Sequence, residues 1–372
     1  ILAFVIAGIF CSIIGMTYAE LAPALPIAGA ELVYAYRAKG YGFGWLSSWA
    51  MCFAYVAVAA WEGPAFATAV DYLVQLPQTG YLWTIQGYDV HLPWLLVAIG
   101  GTLFTVGCHY FGMKITMIFN TIACIALVVG GIVFFAGGVT LGDISNAVPA
   151  FNDGTAGLVA VLLMAPAMFV GFDVIPQAGE EMKIPLHQVG KIVVFAIILG
   201  ALWYIMMIIG SAFGAPADFR DNASIPVADI ATYVFNSRIV GSMVIVAGIG
   251  GILTSWNAMY MGATRIIFAM ARAKMLPPVF GKLHPKYDSP YAAIFLVGIT
   301  GIAGTVLGKS ALGWFVDASS LGVVLAYLTV SIAFCMIRKN EPQLERPFKA
   351  FGGMKIGVLS IIASILFICL YL

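Results

Sequence analysis

The sequence predicts an all-α protein that crosses a membrane many times. Of its 372 residues, 62% are hydrophobic and only 9% are charged, whereas a soluble domain carries roughly 25% charged residues. Ten apolar runs are each long enough for a membrane-spanning helix, which needs about 20 residues. This composition excludes a soluble enzyme. The net charge of +1 also gives no basic surface for nucleic acid.

The ten predicted spans form one transmembrane domain over residues 1–372. The connections between them hold most of the Pro, Gly, Asp and basic residues, as turns do. The spans cover about residues 1–20, 44–73, 92–110, 114–137, 158–180, 190–213, 239–268, 290–308, 313–337 and 354–372.

The basic residues predict the orientation, because Lys and Arg are enriched in cytoplasmic connections. If the first span runs from outside to inside, only Arg220, Arg238 and Lys309 of the 18 basic residues lie outside. We therefore expect a multi-pass protein of the cell membrane, either plasma or inner.

The connections also indicate an internal repeat. The tight third link at 111–113 recurs at 309–312 on the opposite face. The chain begins and ends inside apolar runs, so we expect a fragment that lacks one helix at its front. Restoring that helix makes five helices match five in inverted topology, a recurring transporter design.

The fifth span predicts a discontinuous helix near 164–176. Pro166, Gly171 and Pro176 interrupt it, and Asp173 lies near its middle. Each Pro removes a backbone donor and disturbs the preceding turn, and such breaks at membrane depth occur beside protein or a watery cavity. The two helix ends would suit the two charges of a zwitterion. The alternative is a Pro-kinked structural helix, but an ionisable residue inside the membrane favours function.

Four passages resemble the amino acid–polyamine–organocation (APC) superfamily of transporters. Residues 12–34 contain Thr-Tyr-Ala-Glu-Leu-Ala-Pro, and residues 169–185 run from Phe-Val-Gly-Phe-Asp to Glu-Glu-Met-Lys-Ile-Pro. Residues 265–290 contain Lys-Leu-His-Pro-Lys, and residues 338–348 contain Arg-Lys-Asn-Glu-Pro. The resemblance covers nearly the whole chain.

The resemblance implies a LeuT-like fold of five plus five inverted helices, with helices two to eleven of twelve present. It implies that Phe169 and Val170 offer carbonyls to a substrate amine, that Gly171 leaves room for it, and that Phe172 covers it. Asp173 matches a position that is acidic in some members and linked there to protons. One departure is Ala126, which replaces a coupling Lys found in some proton-coupled members.

Three further residues are candidates for the substrate site. Glu62 lies in the middle of its span, where a carboxylate costs roughly 2.5–3.5 kcal/mol, so it is expected to face the interior and bind a cationic group, carry a proton or form a structural hydrogen bond. Trp256 and Asn257 lie in the span that lines the cavity in the family, although plain packing is the alternative for Trp256. Asp71 and Asp317 lie near span ends and are expected to be solvated.

These observations predict secondary active transport of amino acids or related amines by alternating access, with coupling to protons through Glu62 and Asp173. A cationic amino acid, a polyamine and an ethanolamine-like amine are open as substrates. The alternatives are an amino acid or amine exchanger, or a sensor or channel without coupled transport. No catalytic constellation, cofactor motif or metal-binding pattern stands out.

Overall fold

The computed structural model describes residues 1–111, 113–148, 154–181 and 184–371, and these are mostly helical. The helices are α1 (Leu2–Ala24), α2 (Ala30–Lys39), α3 (Tyr41–Val74), α4 (Leu92–Phe111), α5 (Met113–Thr140), α6 (Gly154–Phe169), α7 (Val174–Gln177), α8 (Leu186–Gly214), α9 (Ala217–Asn222), α10 (Pro226–Phe235), α11 (Arg238–Arg272), α12 (Tyr291–Thr305), α13 (Leu312–Asn340) and α14 (Met354–Leu370).

Helices cover most of each of the ten predicted spans, and within the described residues eight helical segments are long and apolar enough to cross a membrane. Helices α12 and α14 have 15 and 17 residues and are shorter. Helix α2 and the short helices α9 and α10 lie in connections, where the hydropathy pattern does not reveal them. The architecture is that of a polytopic α-helical membrane protein.

A small β-hairpin in the connection between α3 and α4 was not predicted. Strands β1 (Tyr81–Ile85) and β2 (Tyr88–His91) pair antiparallel, with Ile85 opposite Tyr88. The two turn residues, Gln86 and Gly87, both have positive φ, at 48° and 75°. That conformation matches the twist of a two-residue hairpin.

Helices α3 and α13 form the centre of the bundle. In their most apolar windows, 61% and 67% of residues are buried, against 11% for α8, so α8 presents most of its surface outward. Small residues allow the close approach: a side chain at Gly322 of α13 would meet the Ala50 carbonyl of α3 at 2.8 Å. Small residues at such contacts are typical of membrane helices.

The connections contact one another in two separate sets. On the side predicted to be inner, Arg37 pairs with Glu341 at 2.6 Å. On the side predicted to be outer, Trp83 donates its indole N–H to the Val306 carbonyl at 2.9 Å. These contacts join connections that the alternation of spans assigns to the same face.

Candidate functional site

The predicted discontinuity is present as a break between α6 and α7. Helix α6 ends at Phe169 and α7 begins at Val174. Gly171 has a φ of 141°, a conformation that residues with a side chain rarely adopt. The last carbonyls of a helix have no partner within it, so this break can offer the Phe169 carbonyl, at the end of α6, to a ligand.

Pro166 interrupts the backbone hydrogen bonding of α6 one turn before the break, and Ser320 of α13 bonds the backbone there. Pro166 has no N–H to donate, and the following Ala167 N–H donates to Ser320 Oγ at 3.0 Å. The Ser320 hydroxyl in turn lies 3.1 Å from the Met164 carbonyl. A side chain from a neighbouring helix therefore satisfies the backbone that the proline disturbs.

Two tyrosine hydroxyls also bond the backbone of α6. The Tyr204 hydroxyl of α8 donates to the Met168 carbonyl at 2.6 Å. The Tyr371 hydroxyl, just after α14, donates to the Leu163 carbonyl at 2.5 Å. Three helices thus hold the end of α6 in place.

A cavity of about 1130 Å³ opens beside the break. Its walls come from α3, α5, α8, α11 and α13 and are mainly apolar. The break contributes Met168, Phe169, Val170, Gly171 and Phe172 to this central cavity. Other lining residues are Trp61, Glu62, Val128, Trp203, Tyr204, Ser255, Met259 and Val316.

Glu62 is the carboxylate on the wall of the central cavity. It is 3% exposed, and Ser255 of α11 donates its hydroxyl to Glu62 Oε1 at 2.5 Å. Since the wall around it is mostly apolar, Glu62 can offer a negative charge or a proton to a molecule in the cavity.

Asp173 lies behind the break rather than on the cavity wall. It is fully buried, and its two oxygens accept from different donors. The Tyr55 hydroxyl of α3 donates to Oδ2 at 2.6 Å, and the Gly171 N–H donates to Oδ1 at 2.7 Å. Asp173 therefore ties the broken segment to α3.

The structure also places Trp256 and Asn257 away from the central cavity. Trp256 is fully buried and lies 6.4 Å from Phe66, between ring centroids. Asn257 donates its amide to Asn120 Oδ1 of α5 at 2.9 Å. In this conformation both residues join helices, and their role in substrate binding stays a prediction.

A further buried carboxylate, Glu31, lies on the inner side, next to α7. Glu31 of α2 accepts a hydrogen bond from the Gln177 amide, and its Oε1 has no hydrogen-bond partner among the described residues. Burial and then the charge of Asp173 raise the pKa of Glu31 well above its usual range. Burial and the charge of Glu31 likewise raise the pKa of Tyr34.

Comparison with known proteins identifies the family. The whole chain, residues 1–372, matches the family described as amino acid permease. The chain belongs to this family. Its fold is accordingly that of the APC-type polytopic membrane transporters, as the sequence resemblance implied.

The relatives of this permease are transporters with different substrates in their names. The branched-chain amino acid permease BcaP of Bacillus subtilis is 25% identical, over 100% of this chain and 79% of that protein. The methylthioribose transporter of the same organism is 24% identical, over 94% and 76%. The vacuolar cationic amino acid transporter 4 of Arabidopsis thaliana is 24% identical, over 91% and 57%.

Sequence reasoning missed Ser255 and Tyr55, the partners of the two predicted carboxylates. Tyr55 lies seven residues before Glu62, which puts both on one face of α3, so the helical period carried a signal for Tyr55. Ser255 carried none, because a serine in an apolar helix commonly bonds its own backbone. Within the described ranges, no group of His, Cys, Asp and Glu is arranged to hold a metal ion.

Proposed function

We propose that this permease is a secondary active transporter of amino acids or related amines that works by alternating access in the cell membrane. The observation that carries the proposal is the central cavity beside the α6–α7 break, with Glu62 on its wall. Midplane sites at broken helices are typical of secondary transporters. The family membership supports the same reading.

The backbone at the break supports binding of an amino group. Phe169 ends α6, and Phe169 and Val170 both line the cavity. The negative end of the helix favours a cation there, so their carbonyls are the proposed partners of the amino group. Glu62 adds a carboxylate on the facing helix α3. An ammonium group can therefore be held between the break and Glu62.

The cavity wall favours a neutral amino acid with an apolar side chain among the substrate classes. Most lining residues are apolar, which suits an aliphatic side chain. A cationic amino acid or polyamine carries a second positive charge, which would need a second carboxylate. Asp173, the other predicted carboxylate, bonds Tyr55 and the Gly171 N–H instead of lining the cavity, so it does not serve that charge. An ethanolamine-like amine lacks the apolar side chain that this wall would bury.

Transport is proposed to be coupled to protons through Asp173 and Glu62. In this structure Asp173 accepts two hydrogen bonds, from Tyr55 and from the Gly171 N–H. Proton uptake by Asp173 weakens its pull on these donors, because hydrogen bonds to an ionised acceptor are the stronger ones. Protonation would thus loosen the link between the break and α3. Glu62, open to the cavity, would exchange protons with its contents.

The test is uptake by the purified protein in proteoliposomes, with a labelled panel of amino acids and amines and with or without an inward proton gradient. Gradient-stimulated uptake of a neutral amino acid is expected. Uptake only into preloaded vesicles would instead identify an exchanger. Absence of uptake for the whole panel would overturn the proposal.

Two variants test whether the transported substrate binds beside Glu62 in the central cavity. Glu62→Gln removes the charge that meets the ammonium, and a charged hydrogen bond contributes about 1.5–3 kcal/mol, so we expect KM to rise at least about tenfold. Asp317→Asn is the matched control, since Asp317 is an exposed carboxylate in α13 that does not line the cavity. An unchanged KM in Glu62→Gln would contradict the placement of the substrate.

Location in the cell membrane is part of the same proposal. The Arabidopsis relative described above is named as vacuolar, so the location of a tagged full-length protein is worth measuring directly. A signal at the cell boundary is expected, and a signal confined to internal membranes would contradict this part of the proposal.

A further inference from the structure

A group of fully buried polar side chains lies behind the break, toward the side predicted to be inner. Asp173 and Gln177 are four residues apart, which is about one turn of helix. The Gln177 amide donates to the Glu31 carboxylate of α2, so the short helix α7 links two buried carboxyl groups. The inner polar cluster consists of Tyr18, Glu31, Tyr34, Asp173, Gln177 and Tyr327.

The inner polar cluster contains oxygens that the protein leaves unpartnered. Among the described residues, five of its side-chain oxygens have no hydrogen-bond partner, namely Tyr18 Oη, Tyr34 Oη, Tyr327 Oη, Glu31 Oε1 and Gln177 Oε1. Buried polar groups are almost always bonded, either to protein or to ordered water. These oxygens therefore indicate a polar space between α1, α2, α7 and α13 that binds water.

The tyrosines of the cluster connect its two carboxyl groups. The Tyr18 ring packs against the rings of Tyr34 and Tyr327, at 6.3 Å and 5.7 Å between centroids. The charges of Asp173 and Glu31 both act on the hydroxyls of Tyr18 and Tyr327. Because a hydroxyl can donate and accept at the same time, tyrosines and water can pass a proton from one carboxyl group to the other.

Phe172 separates the inner polar cluster from the central cavity. It lines that cavity, and its ring packs against Tyr18 and Tyr327 at 5.5 Å and 5.6 Å between centroids. Among the described residues, no member of the cluster lines the cavity. A proton on Asp173 therefore has polar neighbours on the inner side and an aromatic wall toward the substrate.

A short turn before α2 lies between Glu31 and the inner surface. Ile27, four residues before Glu31, is 46% exposed. The Ala28 N–H donates to Glu180 Oε1 at 3.3 Å, and Arg272 of α11 pairs with the same Glu180 carboxylate at 3.3 Å. An exposed ion pair thus holds the turn that covers Glu31.

Glu31 has titratable neighbours but no counter-charge. In the described parts of the chain, no Lys, Arg or His forms an ion pair with it. Burial and the charge of Asp173 keep the pKa of Glu31 well above its usual range, and such a carboxyl is suited to proton transfer near neutral pH. The titratable groups that act on it or on which it acts are Tyr18 of α1, Tyr34 of α2, Tyr55 of α3, Asp173 before α7 and Tyr327 of α13.

We propose that Glu31 is the inner proton acceptor of this permease: a proton leaves Asp173, crosses the tyrosines and water of the inner polar cluster, and binds the Glu31 carboxylate before its release at the inner surface. The O–H bond of Asp173 breaks and one forms on Glu31, so the cluster keeps its total charge. Ionised Asp173 then bonds Tyr55 and the Gly171 N–H more strongly. The coupling role rests on the proposed function, whereas proton binding by Glu31 can be measured without transport.

The first test is infrared difference spectroscopy of the purified protein in lipid, titrated from acid to alkaline pH. Gln keeps the shape of Glu and can still accept from Gln177, so Glu31→Gln should remove only the C=O band of one protonated carboxyl at neutral pH. Glu345→Gln, at an exposed carboxylate on the inner side, is the matched control and should leave that band in place. Identical bands in Glu31→Gln and the unchanged protein would overturn the proton site.

The same titration tests the link to Asp173 and the alternative of a bound cation. Asp173→Asn removes a charge that raises the pKa of Glu31, so the Glu31 band should titrate at lower pH. An unshifted band would contradict the connection between the two carboxyl groups. Sodium chloride and choline chloride should give the same midpoint, and a band lowered by sodium alone would overturn the proton site in favour of a cation site.

The relay is tested by proton movement in proteoliposomes. A pH dye in the lumen follows protons during substrate uptake, and exchange in preloaded vesicles gives the rate without net proton movement. Glu31→Gln and Tyr18→Phe should lower the ratio of proton movement to exchange at least about tenfold, because a positioned proton carrier contributes about 10²–10⁴-fold. Tyr36→Phe, at an exposed tyrosine of α2, is the control and should keep the ratio.

The outcomes separate the relay from a structural role and from the proposed function. Equal slowing of exchange and proton movement in Glu31→Gln would mean that Glu31 only supports the bundle, and would overturn the relay. A Glu31 band in a protein that transports nothing would leave the proton site standing and would refute the proposed function alone.

Discussion

Replacing Glu20 should destabilise the inner end of the bundle more than any exposed ion pair does. The Glu20 side chain, at the end of α1, is 1% exposed. Arg338 of α13 donates to both its oxygens, at 2.8 Å and 2.6 Å. Arg346 approaches Oε1 at 3.1 Å, and the Ala350 N–H donates to Oε2 at 2.7 Å. One carboxylate therefore joins α1, α13 and the connection before α14.

The expected loss in the free energy of unfolding follows from the burial of this ion pair. Glu20→Gln leaves Arg338 and Arg346 without their anion, and their side chains are only 22% and 10% exposed. Removing one partner of a buried pair costs about 3–5 kcal/mol. The comparison is Glu341→Gln, which breaks the pair with Arg37 whose side chains are 32% and 42% exposed. That change should cost at most about 1 kcal/mol.

The assay is the free energy of unfolding of the purified protein in mixed micelles, measured for both variants and the unchanged protein. Both pairs are Arg–Glu contacts on the inner side with a two-pronged geometry. They differ in burial and in the additional contacts of Glu20 with Arg346 and the Ala350 N–H. Equal losses in the two variants would refute the reasoning that burial sets the strength of this contact.

Two other substitutions test the site region. Gly171→Ala should lower the free energy of unfolding by about 1–3 kcal/mol because a residue with a side chain is strained at this positive φ. A steric clash is not expected, since the described atom nearest to an added Cβ is Met259 Cε at 3.8 Å. Gly107→Ala, in open space within α4, is the control and should be neutral or stabilising. Glu31→Gln should remove a pH dependence: the raised pKa of Glu31 means that the folded protein binds this proton more tightly than the unfolded chain. Stability should then fall as pH rises above about 4.3, the usual pKa of Glu, and a melting series with equal slopes in both proteins would contradict this.

The sequence was sufficient for the helices and for the break because both depend on composition along the chain. Ten long apolar runs produce ten helical segments, and Pro166 and Gly171 mark the interruption. The β-hairpin at 81–91 was not predicted, because its strands are short and lie within a connection. Its turn, Gln86-Gly87, is a weaker signal than the Asn-Gly or Asp-Gly pairs that hairpins favour.

The orientation of each helix about its axis was the harder part. Ser255, Trp256 and Asn257 are consecutive in α11, and each step turns a helix by about 100°. Only one of the three can face the central cavity squarely, and it is Ser255. Hydropathy does not distinguish them, since an aromatic residue suits a bundle interior as well as a substrate site. The same limit applies to Asp173, whose direction depends on the irregular backbone of the break.

The position of α3 constrains how this permease could alternate between its two faces. Gly304 of α12 packs so closely that a side chain there would meet the Ala60 carbonyl of α3 at 2.8 Å. Ser47 of α3 also bonds Thr329 of α13 at 2.6 Å. Separating α3 from these neighbours would open close backbone contacts along much of its length.

The break, in contrast, is held to α3 by one side-chain hydrogen bond among the residues that the structure describes. That bond runs from Tyr55 to Asp173, and it contributes about 1.5–3 kcal/mol when Asp173 is ionised. A ligand or proton can supply free energy of that size, whereas it cannot separate whole packed helices. Ser320 of α13 holds α6, so we expect the segment from Gly171 to α7 to move while α6, α3, α12 and α13 stay together. Tyr55→Phe should then change the rate of alternation more than it changes the stability of the bundle.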